Sequence, residues 1–475
     1  MENNSKDIIN NNSNDGITVI KTDTGSQSGQ NKCPKCGATD ISPVASTGHL
    51  RCNFCHYDFE GEKFTAMMDN TWALYGKVIG SGSQDIASNA TDIVTFKCSS
   101  CGAEVVCDTA SSMQARCHWC HHILSVNEQI PNGSVPDTLL PFKVSKEEAE
   151  SIIKGFVNKR KFFANPKFKK EFTTKNVMGV FFPYMLLDVN SHAYFRGEGE
   201  HQTGTYQIEV GKRDSNGHAM KQTLYNADVY HVERDFDLTI QGLSIESNSN
   251  NLNEVSDKTN NVINAIMPFD TENCVKFNAN YLRGFTSEKR DVNIDDLKST
   301  AYEQSKDIAR YSCNDTLDLY DRGVCWDTEN LDIKGEQWTS AYLPVWLYSY
   351  LEVKGNKKLL HYVAVNARTK EVMGSVPIHI PMLLFVSFMV EIAGYIATIY
   401  VDSDYDWIFL TFGFIYFFVI YAIYRNTSAR HTYEKETKHD MKNLKKIDNF
   451  LRSKNGQSSR IMQGANNNDI RGKFH

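Results

Sequence analysis

Cys33-Pro-Lys-Cys36, followed after fifteen residues by Cys52-Asn-Phe-Cys55, constrains this chain more than any other feature. The arrangement returns as Cys98-Ser-Ser-Cys101 and Cys117-His-Trp-Cys120, with fifteen residues again between the pairs. Two thiolates separated by two residues reach one ion from a tight turn. A gap of this length lets a β-hairpin carry the second turn back and close a tetrahedral S4 shell. The two segments align at a shift of 65 residues: Gly37 with Gly102, Ala38 with Ala103, Arg51 with Arg116, His56 with His121 and Phe54 with Trp119. We read a duplicated module, two tandem β zinc ribbons. The glycine after each first pair suits a turn that needs positive φ.

The expected metal ligands are therefore Cys33, Cys36, Cys52 and Cys55, and Cys98, Cys101, Cys117 and Cys120, holding two structural Zn2+ ions. Four thiolates leave no open coordination position, so neither site is expected to be catalytic. His56, His118, His121 and His122 lie close by, but each shell is already full. Cys107 aligns with Ser42 and reads as a small buried residue.

From residue 31 to residue 130 there are seven Lys/Arg against ten Asp/Glu. A phosphate-binding surface needs clustered positive charge, so the ribbons point to protein contact rather than nucleic acid. The most nucleic-acid-like stretch is 143–175, with ten basic and four acidic residues interleaved with Phe162, Phe163, Phe168 and Phe172. Its alternative readings are a lipid-facing surface and a solvated helix face above core phenylalanines. Within it, Ser145-Lys-Glu-Glu148 is a capping box opening a helix with Ala149, Ile152, Ile153, Phe156 and Val157 on its apolar face.

Two apolar runs, 377–400 and 407–424, have the length and aromatic ends of membrane spans. The loop between them carries three aspartates and no Lys or Arg, whereas 425–475 carries twelve Lys/Arg against five Asp/Glu. The positive-inside rule then puts both termini in the cytoplasm, in keeping with reduced cysteines and with an N-terminus lacking a secretory signal. Glu391 lies inside the first run, where an ionisable group needs a partner; Tyr416 or a symmetry mate is the expected one. Two spans line a transport path only by self-association, so a homo-oligomer joins the bilayer among the expected partners.

The resulting fold class is α+β multidomain. Residues 1–30 are disordered, 31–60 the first ribbon, 61–95 a linker and 96–130 the second ribbon. A β-rich α+β domain covers 131–376, followed by the helical hairpin at 377–424 and a basic tail at 425–475. In the middle domain we expect strands at Val180–Asp188, Tyr206–Val210 and Asp228–Val232, and a helix at Asn293–Tyr311. A hairpin of Ala341–Val353 and Leu359–Asn366 turns at Gly355-Asn356. Phe182-Pro183-Tyr184-Met185-Leu186 also resembles Leu343-Pro344-Val345-Trp346-Leu347. No H-E-x-x-H, G-x-S-x-G or Walker motif is present, and Cys274, Cys313 and Cys325 are scattered.

From about Asn31 to Ile380 the chain resembles a bacterial family labelled transcription-factor-IIB-type zinc-ribbon-containing proteins, sometimes mislabelled primosomal helicase. The likeness rests on the ribbons and on RCHWC at 116–120, NGSVPDTLLPF at 132–142, GVFFPYMLLDVN at 179–190 and NAIMPFDTEN at 264–273. YDRGV at 320–324, AYLPVWLYSY at 341–350 and HYVAVNARTKEVMGSVPI at 361–378 complete it. The resemblance implies a membrane-anchored zinc-ribbon protein of Gram-positive-type bacteria and assigns no activity. The expected function is a non-enzymatic adaptor at the cell membrane, holding a cytosolic protein partner. The alternatives are a membrane-tethered nucleic-acid-binding protein using 143–175 and an enzyme with its site in the middle domain.

Overall fold

The computed structural model describes residues 18–21, 32–64, 71–80, 93–97, 104–108, 115–116, 123–124, 129–131, 136–213, 219–248, 266, 269–288, 290, 292–313, 316–354, 357–400 and 411–426. Four of the eight expected ligands, Cys98, Cys101, Cys117 and Cys120, lie outside them, as do residues 1–17 and 22–30 of the expected disordered N-terminus, the inter-span loop and the basic tail from residue 427.

Chain order gives β1 (Thr18–Lys21), β2 (Ile41–Val44), β3 (His49–Cys52), β4 (Asp58–Phe59), β5 (Lys77–Gly80), β6 (Ile93–Lys97), β7 (Glu104–Asp108), β8 (Ala115–Arg116), β9 (Ile123–Leu124), β10 (Gln129–Pro131) and β11 (Thr138–Leu139). Helices α1 (Lys146–Asn158) and α2 (Pro166–Glu171) precede the two long strands β12 (Met178–Arg213) and β13 (Ala219–Glu246). Then come β14 (Val275–Lys276), β15 (Thr286–Glu288), α3 (Ile294–Ser312), β16 (Gly323–Lys354), β17 (Lys357–Asn366), β18 (Val372–Gly374), α4 (Ile380–Tyr400) and α5 (Phe412–Asn426). The class is α+β.

Antiparallel β12 and β16 form the spine, paired from Met178↔Leu347 to Glu200↔Gly323. The second edge of β12 takes β13 and, at Val180–Phe181, β15; that of β16 takes β17, β11 and β5. Thirteen strands of the described residues join this one sheet, while β2–β3–β4 and β8–β9 form two small ones. The spine is buried on both faces where its sequence is continuously apolar. Val180, Phe182 and Tyr184 pack on one side, with Leu343 and Leu347; Phe181 joins the cluster of Phe142, Tyr342 and Trp346 on the other. The look-alike segments around Pro183 and Pro344 turn out to pair with each other about Phe182↔Leu343.

The expected short strands at 180–188 and 206–210 are parts of one strand, β12, and 228–232 lies within β13. In the intervening Arg196-Gly-Glu-Gly-Glu200, the glycines allow close approach. A Cβ on Gly197 would lie 2.0 Å from the carbonyl oxygen of Cys325, and one on Gly199 would lie 2.6 Å from the ring of Tyr320. Helix α3 matches its expected span to within a residue and packs Ile294, Leu297, Ala301 and Ile308 against β13 and β16. Helix α1 is capped as read: Ser145 accepts from the N–H of Glu148 at 3.2 Å.

The transmembrane hairpin of the expected fold class requires correction. Among the described residues no helix is long and apolar enough to cross a membrane. Helix α4 has 21 residues, but α5 has only 15. A hairpin needs both legs to span. The two-span localisation with cytoplasmic termini, and the bilayer as a partner, fall with it. Glu391 Oε2 accepts from the N–H of Gly413 at 2.7 Å, satisfying an orphan donor in the first turn of α5.

A four-cysteine cluster docked on the β domain

The site begins in two backbone turns. After Cys33, the N–H of Gly37 donates to the Cys33 carbonyl at 2.8 Å; after Cys52, the N–H of His56 donates to the Cys52 carbonyl at 2.9 Å. Gly37 and His56 close these turns at φ +76° and +55°. Strands β2 and β3, in register from Ile41↔Cys52 to Val44↔His49, bring the second turn beneath the first. The sulfurs of Cys33 and Cys55 lie 3.6 Å apart, as do those of Cys36 and Cys52, and all four fall within 4.8 Å of one another. A tetrahedral shell with 2.3 Å metal–sulfur bonds has edges of about 3.8 Å. The four cysteines are thus positioned to chelate a single metal ion.

Electrostatics favour a cation there. Desolvation works against ionising Cys33, but the N–H groups of Cys36 and Lys35, with the thiols of Cys55 and Cys36, hold its pKa down at about 7. The N–H of Ala38 favours the Cys36 thiolate, yet desolvation and the three neighbouring sulfurs push that group up to about 12. Four sulfurs this close cannot all ionise without a positive charge among them. Cys33 and Cys52 are buried, Cys55 half-buried and Cys36 exposed. Phe54 and Tyr57 point outward, with the Lys35 ammonium 5.6 Å from the Tyr57 ring.

The inner face of this ribbon is seated on the β domain. Ile41 and Leu50, both 0% exposed, belong to the same core cluster as Phe142, Phe181, Tyr281 and Trp346. Arg283 pairs with Asp40 and donates to the Ile41 carbonyl at 3.2 Å. That guanidinium holds the Asp40 carboxyl below the usual carboxylate range, aided by Asn53. The Tyr281 hydroxyl accepts from the N–H of Gly61 at 3.0 Å, and burial pushes its pKa up to about 12. Beyond the ribbon, the N–H of Phe64 donates to the Cys274 carbonyl at 3.0 Å. The cysteine spacing marks the ligands, but Tyr281 and Arg283 carry no signal that ties them to a ribbon more than 200 residues earlier.

The basic segment 143–175 is not a base-stacking platform. Phe163 and Phe168 are buried, and Phe172 packs edge-on to Tyr348 at 5.0 Å. Arg160 lies over the ring of Phe156 at 3.7 Å, and Lys169 donates to the Phe162 carbonyl at 3.0 Å. Only Phe162 of the four rings is well exposed. The nucleic-acid reading is corrected accordingly: Phe168 and Phe172 pack on Tyr350 and Tyr348 of β16, and Phe163 meets Tyr416 and Tyr424 of α5. Among the described residues nothing identifies a protein partner or an interface with a second copy, so the adaptor and homo-oligomer expectations are not supported.

Among the described residues, the fold and the site define an α+β protein with one four-cysteine, metal-ready ribbon. Compared with protein-family models, with curated proteins and with solved structures, the chain matches none. The resemblance to the transcription-factor-IIB-type zinc-ribbon family is therefore not upheld, and with it goes the implied membrane anchoring.

Proposed function

We propose that this is a non-enzymatic zinc-binding protein whose ion serves structure. The observation that carries the reading is the closed set of Cys33, Cys36, Cys52 and Cys55, with sulfurs at tetrahedral spacing. Thiolate-only shells select zinc among common divalent ions, and a full shell leaves no position for substrate or activated water. The duplicated spacing at Cys98, Cys101, Cys117 and Cys120 extends the proposal to a second structural ion. Two buried thiols outside the ribbon, Cys274 and Cys313, favour the same reading. Burial pushes Cys274 and Cys313 each up to about 12, which keeps them protonated and poor nucleophiles at neutral pH.

Metal analysis of the purified chain tests this. Two zinc ions per chain, falling to one in Cys52→Ser, is the expected result. Iron in place of zinc, or an unchanged metal content in the variant, would sink the assignment.

A further inference from the structure

We infer that the ribbon is a metal-dependent lid over an aromatic shelf of the β domain: closed when the four cysteines hold their ion, open when they do not. The inference rests on the zinc reading above. Its support is the unequal self-sufficiency of the two packed surfaces.

The shelf stands without the ribbon. The rings of Phe142 and Phe285 stack at 4.2 Å, and Phe142 meets Phe181 and Trp346 edge-on at 5.0 Å each. Trp346 Nε1 donates to the Val144 carbonyl at 2.8 Å, and Phe181 and Trp346 belong to the paired spine. The ribbon does not stand without an ion. Its strands β2, β3 and β4 have four, four and two residues. Fully buried apolar side chains on those strands are Ile41 and Leu50, beside the ligand Cys52. Strands so short and a core so small do not hold a domain together alone. The main charged tie to the shelf, Arg283–Asp40, is well exposed on both partners and so contributes little.

The contact itself is a lid closure. Val44, Gly48 and His49 of the ribbon and Phe142, Tyr281 and Phe285 of the shelf line one shared cleft, and the ribbon's Ile41 and Leu50 lie buried in the shelf's own cluster. Gly48 makes the approach close: its φ is +80°, and a Cβ there would lie 3.2 Å from the carbonyl oxygen of Phe142. Loss of the ion removes what fixes both cysteine turns, and with them β3 and Gly48. The shelf then meets solvent while the spine stays folded, a local opening rather than global unfolding.

The test uses the full chain and a zinc chelator, read by differential cysteine alkylation and amide hydrogen exchange. Chelation should make Cys33 and Cys52 reactive and raise exchange at 41–52 and 281–285 by about tenfold or more. Exchange at 180–186 and 340–347 should not change, and added Zn2+ should restore protection. Reactive cysteines with unchanged exchange at 281–285 would overturn the lid while leaving zinc binding intact. Exchange rising equally along the spine would also overturn it, because the ion would then support the whole fold. Cysteines reactive before chelation, in protein free of zinc, would remove the zinc reading itself.

Discussion

At the scale of single residues, the molecule places its charges where a partner neutralises them. Arg368 donates to both Asp270 oxygens at 2.7 Å and to the Pro141 carbonyl at 3.2 Å, with the two side chains 7% and 9% exposed. Removing the guanidinium leaves a buried carboxylate uncompensated, so Arg368→Ala should cost about 3–5 kcal/mol in urea unfolding. A loss under about 1 kcal/mol would mean that water reaches Asp270 after all. Acidification should act on the ribbon in two stages. Protons compete with the ion for the thiolates, so metal is released as pH falls. Asp40, whose pKa is lowered by Arg283, contributes fully above its unfolded value near 4 and loses that contribution only as pH falls through its lower native value. Metal release followed by pH titration should therefore precede loss of the Asp40–Arg283 pair; the reverse order would contradict the assignment.

At the scale of elements, glycine is the residue that the sequence makes hardest to read. Gly335 in β16 pairs with Asn190, and a Cβ on it would lie 1.9 Å from the Leu74 carbonyl oxygen. Gly335→Ala must push the turn Thr71–Leu74 off the spine, and we expect a loss of about 1–3 kcal/mol, seen in thermal unfolding. Wild-type stability in that variant would mean that the turn is not held against β16. The same chemistry explains why β12 was legible only in pieces. Val180–Asp188 is apolar and β-rich, and its strand is plain; the close approach at Gly197 and Gly199 leaves no pattern in one sequence. Helix α3 was legible because its apolar positions recur at helical spacing and Asp295 and Asp296 sit in the first turn. The apolar runs of α4 and α5 were legible as helices but misread in role. Hydropathy reports that a run avoids water, and it does not report where the helix starts or what it packs against.

At the scale of the whole molecule, the ribbon and the sheet share one core. Spacing alone identified Cys33, Cys36, Cys52 and Cys55 as one cluster, because a four-thiolate shell dictates local geometry. Their seating on Phe142, Tyr281 and Arg283 was not legible, since those contacts join distant parts of the chain and use ordinary core residues. The phenylalanines of 143–175 show the same limit: interleaving with lysines is compatible with stacking on bases and with packing inside the protein, and the burial of Phe163 and Phe168 decides for packing. The claim on which the rest depends is that these cysteines hold a closed zinc shell. Zinc K-edge X-ray absorption of the purified full chain tests it most directly. The account predicts a first shell of four sulfurs at about 2.3 Å with no lighter scatterer; nitrogen or oxygen in that shell, or no zinc edge at all, would contradict it.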